Sequence, residues 1–245
     1  MSKKKESKTQ WKPTDNRFVA FIDILGFKDL VMRNTHKYIY NLLNDISKIR
    51  NFVEKIQDKR DFPDIYKDVE VYTVSFSDSI FIFSKNDTIA NFIHFINSAS
   101  WLIAKAIEES IPLKGAISHG LISVNKSSQI YCGQPIIDAY LLEKEVYYFG
   151  IVAHNSIDRY VTEKKFQNKI NRLFEATTPL KCGDISHLNL NWFRYIEVNK
   201  ESDNKEKLVQ NKIKSFNVNV SGSPRKYVDN TLQLFNKVIT THEIV

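Results

Sequence analysis

Phe18-Val-Ala-Phe-Ile-Asp-Ile-Leu-Gly-Phe27 is the stretch from which the rest of this chain is read. It is an apolar run interrupted by one carboxylate, Asp23, and closed by Gly26 just before a stretch with helical periodicity begins. An apolar run of this length reads as a strand, spanning 18–24, buried on both faces. An aspartate at its carboxyl end is either a turn residue or a group aimed at a ligand. The neighbouring elements have to decide between them.

Downstream, from about 28 to 55, Ile39, Leu42, Leu43, Ile46, Ile49, Val53 and Ile56 recur at three-and-four spacing and predict one long helix. The stretch 60–67, with Pro63, reads as the loop that ends it. Two β-rich runs follow, 69–75 and 80–84, with Ser77-Asp78-Ser79 as polar punctuation, which predicts a hairpin. Asn86-Asp87-Thr88 caps a second helix whose buried stripe is Ile89, Phe92, Ile93, Ile96, Ile103 and Ile107, and Pro112 stops it. A strand over 113–124 follows, and Tyr131-Cys132-Gly133 leads into a helix over 135–146.

The order strand, helix, strand, strand, helix, strand is the split βαβ, ferredoxin-like pattern of an α/β (α+β) domain. A right-handed crossover sets the second strand parallel to the first, so the hairpin turn falls at the carboxyl end of the first strand. Asp23 and Asp78 are 55 positions apart in sequence, yet this topology brings both to one end of the sheet. Two aspartates held together in a chain of net charge +7 call for a cation. Magnesium or manganese with a phosphate substrate suits such oxygen ligands.

The remainder is less periodic. A short strand is expected at 151–154, a helix at 156–174, a strand at 189–196, a charged linker at 201–214 and a helix marked by Val228, Thr231, Leu232, Phe235, Val238 and Ile239. Residues 1–16 are polar and lysine-rich and read as a disordered arm. The domain scheme is therefore an arm at 1–16, a core at 17–160 and an extension at 161–245 packed on it. No apolar run approaches the roughly 20 residues of a membrane span, and no signal peptide is read at the N-terminus. Cys132 and Cys182 are far apart and lack metal-ligand spacing, which suits a reducing cytoplasm. The basic balance favours an anionic partner without choosing between nucleotide and nucleic acid.

Four blocks in order then resemble the class III nucleotidyl cyclase domain over about 17–160. They are 18–27 with Asp23, 74–80 with Asp78, 114–120 (Lys-Gly-Ala-Ile-Ser-His-Gly), and Tyr131-Cys132-Gly133 with Ala139, Leu142 and Glu143. The resemblance implies that Asp23 and Asp78 bind two Mn²⁺ or Mg²⁺ ions. It also implies that the backbone of Ile24, Leu25, Gly26 and Phe27 lies against the triphosphate, with Ile24 touching the second metal. Phe21 shares the Asp23 side of its strand, and is either a nucleotide contact or a core residue. Ser77-Asp78, Lys114-Gly115 and the segments 178–181 and 191–192 are similar to the bacterial Pycsar cyclases, which make cyclic pyrimidine mononucleotides in anti-phage defence. That likeness implies a homodimer with composite sites and a separate effector protein that responds to the product. It favours UTP over CTP as a family prior only.

Three departures matter. The asparagine and arginine that purine cyclases carry after the glycine of the fourth block correspond to Ile137 and Leu141, and their adenine-reading lysine corresponds to Val74. Lys114, His119, Tyr72 and Ser75 are secondary candidates for phosphate or base contacts. The alternatives are a cytidylate cyclase, a catalytically silent nucleotide-binding regulator, and a ferredoxin-like RNA-binding module. The last lacks the aromatic signature such modules carry.

Overall fold

The computed structural model describes residues 10–54, 68–166, 172–197 and 204–241. Strand β1 is Thr14–Ile24, β2 is Val71–Phe76, β3 is Ser79–Ser84 and β4 is Leu113–Asn125. The short β5 is Ile130–Cys132, followed by β6, Gly150–Ala153, β7, Leu173–Leu180, and β8, Gly183–Leu190. These strands form one sheet ordered β2-β3-β1-β4-β6-β8-β7, with β5 beside β4. The first four strands carry the ferredoxin-like order, and β1 is antiparallel to both β3 and β4.

The opening stretch is apolar throughout because both its faces are covered. Phe18, Ala20, Ile22 and Ile24 enter the main core with Ile46 and Val53 of α2 (His36–Val53) and Phe92, Phe95 and Ile96 of α3 (Ile89–Glu108). Val19 and Phe21 point the other way, into a second cluster with Ile122 of β4 and Ala139 of α4 (Gln134–Glu145). Two faces at period two therefore read as one continuous hydrophobic run. α3 is buried on nearly every side, and α4 packs on β4 and β1 across the opposite face.

Several expectations change. The helix expected over 28–55 is two, α1 (Phe27–Arg33) and α2, because Thr35 takes an extended conformation and its side chain accepts from the Tyr38 amide. A threonine so placed ends one helix and caps the next. Residues 55–67, including the expected loop around Pro63, lie outside the described residues. β1 starts at Thr14, inside the expected arm, and the Pro13 carbonyl accepts from the Val124 amide at 2.7 Å.

Beyond β6, α5 (Asn155–Glu163) is shorter than the helix expected over 156–174, and residues 173–180 are strand β7. The strand expected over 189–196 is instead the end of β8 followed by a 3-10 turn at Trp192–Tyr195. The expected linker 201–214 contains helix α6 (Lys205–Ser215), which buries only Val209 and Ile213. A stripe of two residues one turn apart is too thin to stand out among charges. The terminal helix, α7, spans Arg225–Thr241 as its periodicity predicted. Its Thr231 Oγ1 accepts from the Phe149 amide at 2.8 Å, tying α7 to the chain between α4 and β6. None of the described helices is long and apolar enough to cross a membrane.

Candidate active site

Asp23 and Asp78 meet at the carboxyl end of β1. The β2–β3 hairpin turns at Ser77 and Asp78, and its first residue after the turn, Ser79, stands opposite Asp23 in the ladder. Ser79 Oγ donates to Asp23 Oδ1 at 3.1 Å, and the Ile24 amide donates to the Asp78 carbonyl at 3.2 Å. Ser77 holds φ at 56°, a left-handed conformation that is costly for a residue with a Cβ. That backbone sets the half-buried Asp78 beside β1.

The Asp23 carboxyl is pushed up to about 7, mainly by burial, then by the negative charges of Asp78 and Glu143, against the pull of the Ser79 hydrogen bond and Lys114. Such a shift marks negative charge that the protein leaves uncompensated. Lys114 of β4 is the register partner of Asp23. Its ammonium, however, lies 2.6 Å from Glu143 Oε1 and donates to the Glu143 carbonyl at 2.8 Å. Both side chains are buried, Lys114 at 6% exposure and Glu143 at 3%.

The expected backbone segment continues from here. Ile24 is buried, so only its main chain is available to a ligand. The amides of Ile24 and Leu25 are given to the carbonyls of Asp78 and Pro112. Gly26 has φ 73° and is exposed, with no atom within 4 Å of where a Cβ would stand. Phe27 begins α1. Phe21 does not line an open surface: it is 5% exposed and packs against Phe81 at 4.9 Å and Tyr140 at 5.3 Å. Of its two readings, the core residue is the one the packing supports.

The secondary candidates scatter. Ser75 receives a hydrogen bond from Arg50 Nη1 at 2.8 Å, and Tyr72 shares one with Tyr131 at 3.0 Å between hydroxyls. His119 stacks on Phe18 at 4.8 Å, five register positions along β4 from the Asp23–Lys114 pair. It pairs with Asp87 at 3.2 Å, and burial lowers its pKa. Lys114, read as a possible phosphate contact, is instead an interior residue. Sequence reasoning missed Ser79 and Glu143. Their signal was present, a serine flanking the hairpin aspartate and a glutamate in the last turn of α4, but their partners depend on register and packing.

Among the described residues, no three His, Cys, Asp or Glu side chains converge as a metal cage. Two hard carboxylates brought to one end of the sheet nevertheless fit Mg²⁺ or Mn²⁺, which one or two carboxylates commonly hold together with substrate phosphates.

No protein-family model matches the chain, and no curated protein matches it by sequence. Solved structures do. The catalytic core of a rhodopsin-guanylyl cyclase with converted specificity, in complex with ATPαS, is 15% identical, covers 74% of this chain and 97% of its own, and superposes with a TM-score of 0.55. A monomeric guanylyl cyclase domain from the aquatic fungus Blastocladiella emersonii is also 15% identical over 75% of this chain and 98% of its own, with a TM-score of 0.54. A bacterial light-regulated adenylyl cyclase is 14% identical over 74% of this chain and 92% of its own, with a TM-score of 0.51. The sheet order, the helices on each face and these superpositions agree: the chain has the fold of the class III adenylyl and guanylyl cyclase catalytic domain.

Proposed function

We propose that the protein is a nucleotide cyclase that converts a pyrimidine nucleoside triphosphate, UTP in the first instance, into its 3′,5′-cyclic monophosphate and pyrophosphate. The observation that carries this reading is the meeting of Asp23 and Asp78 on a cyclase fold, with the Asp23 carboxyl pushed up to about 7. In this reading Asp23 and Asp78 hold two Mg²⁺ or Mn²⁺ ions, with the main chain at Ile24 as a further contact. Bound there, the ions would supply Lewis acidity that lowers the pKa of the attacking ribose hydroxyl and offsets charge on the leaving pyrophosphate.

The chain's own groups do the positioning. The turn Ile24–Phe27 receives the triphosphate. Because the amides of Ile24 and Leu25 are already engaged, those of Gly26 and Phe27 face the phosphates. Gly26 suits this role because no side chain stands between its backbone and a ligand. The ribose 3′ oxygen attacks the α-phosphorus in line, and the bond to the β-phosphate bridging oxygen breaks.

Dimerisation belongs to the same proposal. α4 exposes Ile137 at 51%, Tyr140 at 38% and Leu141 at 55% along one ridge, where a second copy of the chain covers them. Ile137 and Leu141 offer no polar group to a nucleotide, and Val74 sits half-buried in the second cluster. Loss of purine-reading groups favours the pyrimidine assignment, and a product released as a second messenger would act through a separate effector protein in antiviral defence. Incubating the protein with Mn²⁺ and each of the four nucleoside triphosphates, with products resolved by mass, tests it. Cyclic UMP is the expected product. Cyclic CMP would move the substrate within the class, a purine product would overturn the base assignment, and no cyclic product would overturn the enzyme.

A further inference from the structure

We infer that Glu143 is a positioning residue: by holding the Lys114 ammonium at the end of α4, it keeps the Asp23 carboxylate clear of a cross-strand salt bridge and open to a divalent cation. The inference rests on the proposed metal role of Asp23 and adds a residue that role does not require.

Asp23 and Lys114 are direct partners between β1 and β4. Opposite charges placed in this way across antiparallel strands pair with one another. Lysine reaches easily, because its ammonium rides on a flexible four-carbon stem. Here the pair is not made. The side-chain hydrogen bond that reaches Asp23 comes from Ser79. Lys114 turns instead to α4, where Glu143 holds it twice, through its carboxylate at 2.6 Å and its backbone carbonyl at 2.8 Å.

The second tie explains why the lysine stays. Glu143 lies in the last turn of α4, where the helix dipole is negative, and its carbonyl, which also accepts from the Val146 amide at 3.0 Å, has a second lone pair for the ammonium. A cation there satisfies a carbonyl and the dipole together. Both partners are buried, so water does not compete for either. A lysine with nothing to hold it would be the nearest cation to Asp23, and a divalent ion would have to displace it. The arrangement keeps a positive charge next to the site without letting it fill the site.

The experiment titrates Mn²⁺ alone against the full chain at pH 8 and reads free Mn²⁺ by electron paramagnetic resonance, with circular dichroism as the fold control. Wild type is expected to bind and Asp23→Asn to lose that binding. Glu143→Gln, which frees Lys114, is expected to bind about tenfold more weakly, the change that one competing charge-assisted hydrogen bond makes. The double variant Lys114→Met with Glu143→Gln, which has neither the lysine nor the carboxylate, is expected to return to within about twofold of wild type.

Equal binding by Glu143→Gln and wild type overturns the inference while leaving Asp23 as a ligand. So does a double variant as weak as Glu143→Gln, since Glu143 would then act through its own charge. Should Glu143→Gln not fold, Glu143→Asp, which keeps the charge but shortens its reach to Lys114, carries the test: weaker Mn²⁺ binding that Lys114→Met restores is expected, and binding equal to wild type overturns the inference. A wild type that binds no better than Asp23→Asn removes the metal site itself, and the inference with it.

Discussion

Lys114 stands opposite Asp23 in the β1–β4 ladder, yet its ammonium is bound to Glu143 on α4, 2.6 Å from the carboxylate oxygen. The pair welds the helix that covers one face of the sheet to the strand beside the candidate site. Removing one partner leaves the other charge buried. Lys114→Met is therefore expected to destabilise the fold by roughly 3–5 kcal/mol. Replacing both, as Lys114→Met with Glu143→Met, should leave stability within about 1 kcal/mol of wild type or above it. Urea unfolding of the two variants checks this, and equal losses in both would contradict it.

Asp23 gives the metal-free protein a pH signature. Its carboxyl is raised to about 7 in the fold against 3.8 in an unconstrained chain. The folded state thus favours the protonated acid. There is no penalty below pH 4; it grows as pH rises, and is complete above pH 7. Asp23→Asn removes the charge, so the variant should match wild type near pH 4. At pH 8 it should melt higher by about 2–4 °C, the shift that roughly 1 kcal/mol gives in a domain of this size. Added Mn²⁺ should raise the melting point of wild type at pH 8 and leave the variant unmoved. Thermal scans at the two pH values read both effects.

Gly133 is the residue on which α4 enters against the sheet. Its φ is 150°, and a Cβ there would stand 2.5 Å from the Leu121 carbonyl oxygen and 3.1 Å from Ile122 Cα. Backbone atoms cannot yield as a side-chain tip does. Gly133→Ala should cost about 2 kcal/mol or more through strain and overpacking. Because α4 carries Glu143, the same change should weaken Mn²⁺ binding. A variant of wild-type stability would show that α4 is free to shift away from β4.

The ridge on α4 makes a separable prediction. Leu141 is 55% exposed, so a charge there does not enter the core. Leu141→Glu should leave the circular dichroism spectrum and melting point of the protomer within about 0.5 kcal/mol of wild type, the usual range for a surface change. Sedimentation velocity should show monomer where wild type gives dimer, with cyclase activity falling alongside. A dimeric, fully active variant would place the interface elsewhere.

How much of this was legible in the chain follows from how local each feature is. The buried run 18–24, the hairpin at Ser77-Asp78 and the stripe of α3 are written in neighbouring residues, and chain handedness alone brought Asp23 to Asp78. β7 and β8 were not legible, because Gly183–Ser186 is exposed throughout and the buried residues come in unbroken runs, Thr178–Leu180 and Asn189–Leu190, rather than in alternation. α6 was hidden because two buried residues define its face. Glu143 was visible as a helix-end glutamate but not as the partner of Lys114, since that contact exists only once α4 lies on β4. Phe21 was ambiguous for the same reason: alternation gave its face, and the packing of Tyr140 gave its role.

The central claim is that Asp23 and Asp78 act as one metal-dependent unit in nucleotide cyclisation. The most direct measurement is the rate of cyclic nucleotide formation from UTP with Mn²⁺ for wild type, Asp23→Asn, Asp78→Asn and the double variant, each verified as folded. The account predicts that each single change removes activity by about three orders of magnitude or more and that the double change adds little further, as for residues that work together. Undiminished cyclic product from Asp23→Asn, or from Asp78→Asn, would contradict it.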